Sequence, residues 1–257
     1  MGKTICISNH KGGTGKTTTA VNLSTALALA EKRTLLIDLD LQGHATKLFN
    51  ATGNDGQSIY DILTGQATAE DRTVKTGIDF LKIIPSDRRL IGADYDLRAV
   101  PDRELILKNQ LGNLTQQFDY IIIDSPPSFN IAGINGINAA DSVLIPLQCE
   151  FFALESLGQY FKIFNYLVKK HGTETEVDGI LLNMYDPSED VSTRIAGQVK
   201  RSFEDMVYKT VIPRSRCIRE SASFGKPVIL SDIMSKGAKS FISLAREIIG
   251  TGNPFEE

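Results

Sequence analysis

The chain of 257 residues is 42% hydrophobic and 23% charged, and its net charge at pH 7 is −3. These values exclude a chain that is basic throughout, and no apolar run approaches the roughly 20 residues that span a bilayer. The N-terminus lacks the length and cleavage site of a signal peptide. We therefore expect a cytoplasmic protein with a single domain over residues 1–257.

Short, nearly continuous apolar runs alternate with helical patterns along the chain, as in parallel strands covered by helices on both faces. The expected strands are residues 4–8, 34–38, 81–85, 120–124, 142–146 and 179–183, with a weaker one at 209–213. The expected helices are residues 17–31, 103–117, 153–170, 191–203 and 237–249. Residues 50–80 give no clear prediction. The fold class is α/β, a doubly wound, mostly parallel sheet whose carboxyl edge binds ligands.

The stretch "SNHKGGTGKTTTA" (8–20) follows the first strand and opens the first helix, which is the context of a phosphate-binding loop. Its glycines let backbone N–H groups approach phosphate oxygens, Lys16 reaches the β and γ phosphates, and the Thr17 hydroxyl ligates Mg²⁺. The expected nucleotide contacts are Gly12, Gly13, Thr14, Gly15, Lys16, Thr17 and Thr18. The standard pattern has glycine at position 10, where this chain has His10, and it needs only one lysine. The role of His10 is left open.

The variant "KGGTGKTT" (11–18) resembles the deviant Walker A motif of the ParA/MinD ATPases. The resemblance implies a P-loop NTPase fold with ATP and Mg²⁺ as ligands. It also implies a catalytic role for Lys11, which would reach across an ATP-sandwich homodimer to the phosphates of the other subunit. Physically, such a lysine acts as an arginine finger does, by placing a cation on the charge that develops at the transferred phosphoryl group.

After the second strand, "DLDLQGHAT" (38–46) resembles the DxDPQGNAT segment of ParA proteins of the Soj type. The resemblance places Asp40 where a carboxylate orients the attacking water beside the metal, with Asp38 two residues earlier. This chain departs from the pattern at Leu41 and His44. Because neither change removes a carboxylate, hydrolysis is still expected. A catalytic base role for His44 is an alternative with no support beyond its location.

After the fourth strand, "DYIIIDSPPS" (119–128) resembles a Walker B segment and the switch that follows it. Asp124 would hold Mg²⁺ through its water shell, while Pro126 and Pro127 stiffen a loop that senses the γ-phosphate. An aspartate at a strand end can also merely cap the next turn. The phosphate loop in the same sheet favours the metal role.

The resemblance to Soj-type ParA proteins continues through "IPSDRRLIGADYDL" (84–97), "PLQCEFFALES" (146–156) and "VIPRSRCIRESASFGKPV" (211–228). It makes Asn183 and Pro213 candidates to contact adenine. For Asn183, the alternative is a turn residue that closes the strand. The three cysteines, at positions 6, 149 and 217, show no metal-ligand spacing and are expected to be plain reduced residues.

Charge is distributed unevenly, because residues 191–246 hold 11 Lys and Arg against 4 Asp and Glu, whereas residues 1–190 hold 17 against 24. This split indicates a basic surface for a polyanion, the alternative being a solvated helix face. The resemblance implies binding of double-stranded DNA without sequence preference, and no aromatic ladder suggests base stacking. The expected contacts are Arg194, Lys200, Arg201, Arg214, Arg216, Arg219 and Lys236.

Together these features predict a slow ATPase that dimerises with ATP, binds DNA on the nucleoid and positions a cargo, stimulated by a ParB-like partner. A membrane-positioning ATPase of the MinD type is the first alternative. The end of the chain, "EIIGTGNPFEE" (247–257), lacks the basic amphipathic helix of such proteins, so no membrane partner is expected. The second alternative is a small-molecule enzyme on the same scaffold, such as dethiobiotin synthetase or the nitrogenase iron protein.

Overall fold

The computed structural model describes residues 2–51 and 56–250. Its strands are β1 (Lys3–Ile7), β2 (Thr34–Asp38), β3 (Val74–Lys75), β4 (Leu81–Ile84), β5 (Tyr120–Asp124), β6 (Ser142–Gln148) and β7 (Glu176–Asn183). The strands form one sheet in the order β3-β4-β2-β5-β1-β6-β7. Every neighbouring pair is parallel except β3 and β4, which are antiparallel. The predicted fold class is therefore confirmed.

The helices alternate with the strands. They are α1 (Lys16–Leu29), α2 (His44–Leu48), α3 (Ile59–Leu63), α4 (Ala93–Asp96), α5 (Ile106–Leu111), α6 (Leu114–Gln117), α7 (Ile131–Ala139), α8 (Ala153–His171), α9 (Asp190–Phe203), α10 (Arg216–Ser223), α11 (Val228–Ser231) and α12 (Lys236–Ile249). Short 3₁₀ turns lie at Arg88–Gly92, Arg103–Leu105 and Glu204–Met206. Within the described ranges, no helix is long and apolar enough to cross a membrane.

Alternate residues of the central strands feed two separate hydrophobic cores, as the two-residue period of a strand requires. Cys6, Ile37 and Ile123 point to one face, where α7, α8 and α9 pack. Leu36 and Ile122 point to the other face, where α1 and α12 pack. Because the parallel strands end at one edge, the loops after β1, β2, β5, β6 and β7 gather there.

Two predicted elements are wrong. Residues 209–213 form no strand, and the chain nearby makes only isolated bridges, Ile180 with Val207 and Tyr185 with Pro213. The reason is that Glu247 accepts the backbone N–H groups of Lys209 and Thr210, at 2.7 and 3.0 Å, which takes these donors away from any ladder.

The helix predicted at residues 103–117 is instead the turn Arg103–Leu105 followed by α5 and α6. Asp102, just before it, has a φ of 49°, in the left-handed region. Gly112, which separates α5 from α6, is a poor helix former. The other predicted strands and helices are confirmed within three residues at each end.

Helix α7 was not predicted, because its sequence, IAGINGINA, carries two glycines. The structure explains both, since a Cβ on Gly133 would lie 2.3 Å from the Ser128 carbonyl oxygen and a Cβ on Gly136 would lie 2.8 Å from Leu39 Cδ1. Glycine thus allows α7 to approach the sheet closely. Of the end of the chain that argues against a membrane partner, residues 247–257, the part from 251 to 257 lies outside the described residues.

Candidate functional site

The loop between β1 and α1 is shaped by two left-handed glycines, Gly13 with φ 77° and Gly15 with φ 86°. A Cβ on Gly12 or Gly13 would meet nothing within 4 Å, so this side of the loop is open to a ligand. A Cβ on Gly15 would lie 2.3 Å from Asn183 Nδ2, so only glycine fits there. Gly15 also precedes α1 without a side-chain cap, which leaves the first N–H groups of the helix available to an anion.

The two lysines of the loop occupy different environments. Lys16 is buried, and its Nζ donates to the carbonyl oxygen of Lys11 at 3.1 Å. Burial lowers the pKa of Lys16, while the negative charges of Asp124 and Asp40 oppose that shift. The Lys11 side chain is 37% exposed, and its Nζ lies 3.4 Å from Glu150 Oε2. Lys16 therefore points into the site, and Lys11 lies at its rim.

Asp124, at the end of β5, is fully buried, and neither carboxylate oxygen has a hydrogen-bond partner of normal geometry among the described residues. Burial raises its pKa, and the nearby charge of Asp38 raises it further, although the Thr17 hydroxyl is close enough to lower it. A buried carboxylate without a partner is unfavourable unless a cation accompanies it. The pair of Asp124 and Thr17 thus has the oxygen chemistry that Mg²⁺ prefers.

Asp38 is the last residue of β2 and Asp40 lies two residues beyond it, and their carboxylates have different roles. Asp38 is fully buried, and its Oδ2 accepts the backbone N–H and the hydroxyl of Thr46 at 2.9 and 2.7 Å. Its burial raises its pKa to about 6. Asp40 is half-buried, and its Oδ1 accepts from Gln42 N at 2.9 Å. Asp38 consequently holds the loop in shape, and Asp40 faces the charge of Lys16.

The two predicted adenine residues line one cavity of about 320 Å³ beside the phosphate loop, together with Thr18. The side chain of Asn183 also braces the loop, because its Nδ2 donates to the Thr14 carbonyl oxygen at 2.8 Å. Its Oδ1 accepts from Met184 N at 2.9 Å, which is the turn-closing bond of the alternative interpretation. An adenine contact by Asn183 stays a prediction.

All seven predicted DNA contacts are exposed, but they form two groups. Arg194, Lys200 and Arg201 lie on α9, which packs on the first face of the sheet. The other group comprises Arg214, Arg216, Arg219 and Lys236, on or beside α10 and α12 on the second face. Arg214 and Arg219 even line the cavity of Asn183 and Pro213. Since α9 runs about 1.5 Å per residue away from the carboxyl edge, Lys200 and Arg201 lie far from that group.

Several supporting residues were missed by sequence reasoning. Asn9 holds the start of the loop, since its Nδ2 donates to the Pro146 carbonyl oxygen at 2.9 Å and its Oδ1 accepts from Lys11 N at 3.0 Å. Glu150 is the partner of Lys11. No short sequence motif predicts the role of Asn9 or of Glu150. His44 is exposed and lines a separate cavity of about 420 Å³ with Thr17 and Lys226.

Comparison with known proteins gives matches along nearly the whole chain. Residues 2–177 match the family model described as an AAA domain. The sporulation initiation inhibitor protein Soj of Bacillus subtilis is 44% identical over 253 residues, which cover 98% of this chain and 100% of Soj.

Two solved structures give the same fold. The first is cobyrinic acid a,c-diamide synthase from Mycobacterium smegmatis with bound ADP and magnesium, 29% identical with a TM-score of 0.81, covering 98% of both chains. The second is the cell division ATPase MinD of Pyrococcus furiosus, 28% identical with a TM-score of 0.81, covering 98% of this chain and 100% of MinD. The similarity is thus not confined to the phosphate loop.

Proposed function

Because this chain belongs to the ParA/MinD family of P-loop ATPases, we propose that it hydrolyses ATP, pairs with a second copy of itself when ATP is bound, and binds DNA in that state. Its 44% identity to Soj and 40% identity to ParA of Myxococcus xanthus support a partition role over a small-molecule or membrane role. Hydrolysis would return the protein to a form that releases DNA. The cycle would position a cargo such as a plasmid, a chromosome origin or a protein assembly.

The residues of the loop fit a nucleoside triphosphate with Mg²⁺. The open face at Gly12 and Gly13 admits phosphate oxygens, and Lys16 is already directed into the site. The buried carboxylate of Asp124 and the hydroxyl of Thr17 would hold the metal and its water. Bound Mg²⁺ would neutralise charge on the phosphates. Asp40 would orient the attacking water.

The placement of Lys11 is the observation that carries the proposal. A lysine that bound the nucleotide of its own subunit would point inward, as Lys16 does. Lys11 instead lies at the rim of the site, where its Nζ is 3.4 Å from Glu150 Oε2. Two such chains facing each other at their carboxyl edges would each present a cation to the phosphates of the other. The dimer would then depend on ATP, because the phosphates are what Lys11 would bind.

For DNA, the group around α10 is the better supported surface. Its cations lie beside the nucleotide cavity, so a change at the nucleotide can reach them over a short distance. The expected contacts are to phosphates, with a steep salt dependence and no sequence preference. A ParB-like partner would stimulate hydrolysis on the nucleoid in the cytoplasm.

Two variants test the cycle. Asp40→Ala should bind ATP, remain dimeric and stay on random duplex DNA, because water is no longer oriented. Lys11→Ala should bind ATP but neither hydrolyse it nor form a stable dimer. Light scattering after gel filtration measures the dimer, and co-sedimentation with DNA or with anionic liposomes measures the partner. ATP-dependent binding to liposomes and not to DNA would contradict the proposal, as would a parent hydrolysis rate in Asp40→Ala.

A further inference from the structure

His10 belongs to the phosphate loop, yet its ring contacts parts of the chain far from it in sequence. The ring stacks on Phe129 with a centroid distance of 6.2 Å and an interplanar angle of 19°. It also stacks on Tyr160 of α8, at 6.3 Å and 16°. Phe129 and Tyr160 contact each other at 5.8 Å, which closes a cluster of three rings. One residue of the loop thus connects to two other elements.

The ring is positioned by these contacts and not by a hydrogen bond at Nδ1. That atom is buried without a hydrogen-bond partner among the described residues. Offset stacking of rings at such distances is favourable and has a preferred geometry. A displacement of Phe129 or Tyr160 would therefore displace the His10 ring, since close-packed side chains transmit such shifts.

Phe129 lies in the segment that follows Asp124, and that segment is held at both ends. Ser125 Oγ donates to the Ile7 carbonyl oxygen at 2.9 Å, and Asn130 Oδ1 accepts from Gly133 N at 2.9 Å. Between these anchors, Pro127 and Ser128 are exposed, whereas Phe129 is half-buried in the ring cluster. If a ligand beside Asp124 moved this segment, Phe129 would move with it and shift its contact with the His10 ring.

On its other side, His10 is bonded directly to Lys11. The backbone of Lys11 is tied to its surroundings twice, because its N–H donates to Asn9 Oδ1 at 3.0 Å and its carbonyl oxygen accepts from Lys16 Nζ at 3.1 Å. The side chain is the exposed part, with Nζ near Glu150. A movement of His10 consequently acts on the direction in which Lys11 leaves the loop.

We propose that His10 is a positioning residue for Lys11, whose ring, stacked on Phe129 and Tyr160, couples the placement of Lys11 to the segment after Asp124. Position 10, which is glycine in the standard phosphate-loop pattern, thus connects the segment beside the phosphates to Lys11 at the rim of the site. The proposal rests on the proposed function for the use that is made of Lys11, and the coupling itself can be measured without hydrolysis.

Hydrogen–deuterium exchange with Mg²⁺ and either ADP or a non-hydrolysable ATP analogue tests the coupling. In the parent protein, the change from diphosphate to triphosphate should alter exchange in residues 9–11, which precede the predicted phosphate contacts, and in residues 125–130. In His10→Ala, the response of residues 125–130 should persist and that of residues 9–11 should be lost. His10→Phe, which keeps a ring, should restore it. His171→Ala, at the distant end of α8, is the matched control and should behave as the parent does.

The rate of ATP turnover provides a second test of the role of His10. His10→Ala should lower kcat by roughly 10-fold with an unchanged Kd for the nucleotide, since misplacement by about 1 Å can cost up to 10²-fold. If His10→Ala does not fold, Phe129→Leu removes the same stack from the other side. A response of residues 9–11 that survives in either variant, or that is absent in the parent, would overturn the coupling. Failure of the parent to hydrolyse ATP or to dimerise would instead count against the proposed function alone.

Discussion

The phosphate edge of the sheet and the basic surface around α10 bind charge by different physical means. At the phosphate edge the groups are buried and fixed, as Asp38 is by Thr46 and Lys16 is by the Lys11 carbonyl oxygen. At the basic surface the cations are exposed, and Arg216, whose side chain is 81% exposed, pairs with Glu220 of its own helix. Placement therefore matters at the edge, whereas the sum of charges matters at the surface. Single substitutions should have large effects in the first region and small ones in the second.

The largest effect is expected from Asp124→Asn, which should lower ATP turnover by about 10²–10³-fold, the loss typical of removing one charge-stabilising group. The same change should stabilise the protein without ligand, because it replaces a buried carboxylate, for which the described residues supply no hydrogen-bond partner of normal geometry, by a neutral group of the same shape. An increase in Tm on the order of 2–4 °C at pH 7 is expected. Calorimetry and a phosphate-release assay measure the two effects, and a loss of stability would contradict the assignment.

The dependence on pH provides a control for Asp124→Asn. Because burial raises the pKa of Asp124 in the folded state, folding favours the protonated carboxyl. The contribution of Asp124 to the free energy of unfolding of the parent, without Mg²⁺, should therefore be fully present below its unfolded-state pKa and be lost as pH rises through the folded-state pKa. Asp38, with a pKa of about 6, contributes in the same direction. Asp124→Asn should keep the contribution of Asp38 and show a shallower fall.

A smaller effect on nucleotide binding is expected at Asn183, an uncharged residue that holds the phosphate loop by a hydrogen bond. Asn183→Ala removes the bond to the Thr14 carbonyl oxygen, so the loop should sample open positions more often. We expect Kd for ATP to increase roughly 10-fold, by about 1.4 kcal/mol, with little change in kcat. Titration with a fluorescent ATP analogue measures the first quantity and steady-state kinetics the second. Pro213→Ala, in the same cavity, leaves the brace intact and serves as the control. Equal losses in both variants would assign the effect to the cavity wall and not to the brace.

The difference between the phosphate edge and the basic surface also explains which features could be predicted from the sequence. The glycines, Lys16 and Asp124 lie in short motifs beside strands, so the local sequence was enough to predict their places at the edge of the sheet and to suggest their roles. The brace from Asn183 to Thr14 spans 169 positions, and the Phe129 and Tyr160 contacts of His10 depend on how α8 packs. No local pattern contains such information.

The basic surface was predicted as one patch because the charges are concentrated in one stretch of sequence. The sheet separates them, since α9 packs on one face and α10 and α12 on the other. The face that a helix covers is set by the crossover between strands and not by its composition. Likewise, the β-branched run at residues 209–213 is no strand because Glu247, 37 and 38 positions away, accepts the backbone N–H groups of Thr210 and Lys209.

The smallest effect is expected at the basic surface, and it decides which group of cations contacts DNA. Arg216→Gln, on α10 and outside the nucleotide cavity, should weaken ATP-dependent binding to random duplex DNA roughly 5-fold at 0.1 M salt. It should also lower the slope of log K against log salt by about 0.9, the value for one phosphate contact. Arg201→Gln makes the same change of charge at the far end of α9, so it should leave the slope unchanged. Equal losses in the two variants would mean that net charge governs binding; a change only in Arg201→Gln would move the DNA surface to the opposite face of the sheet.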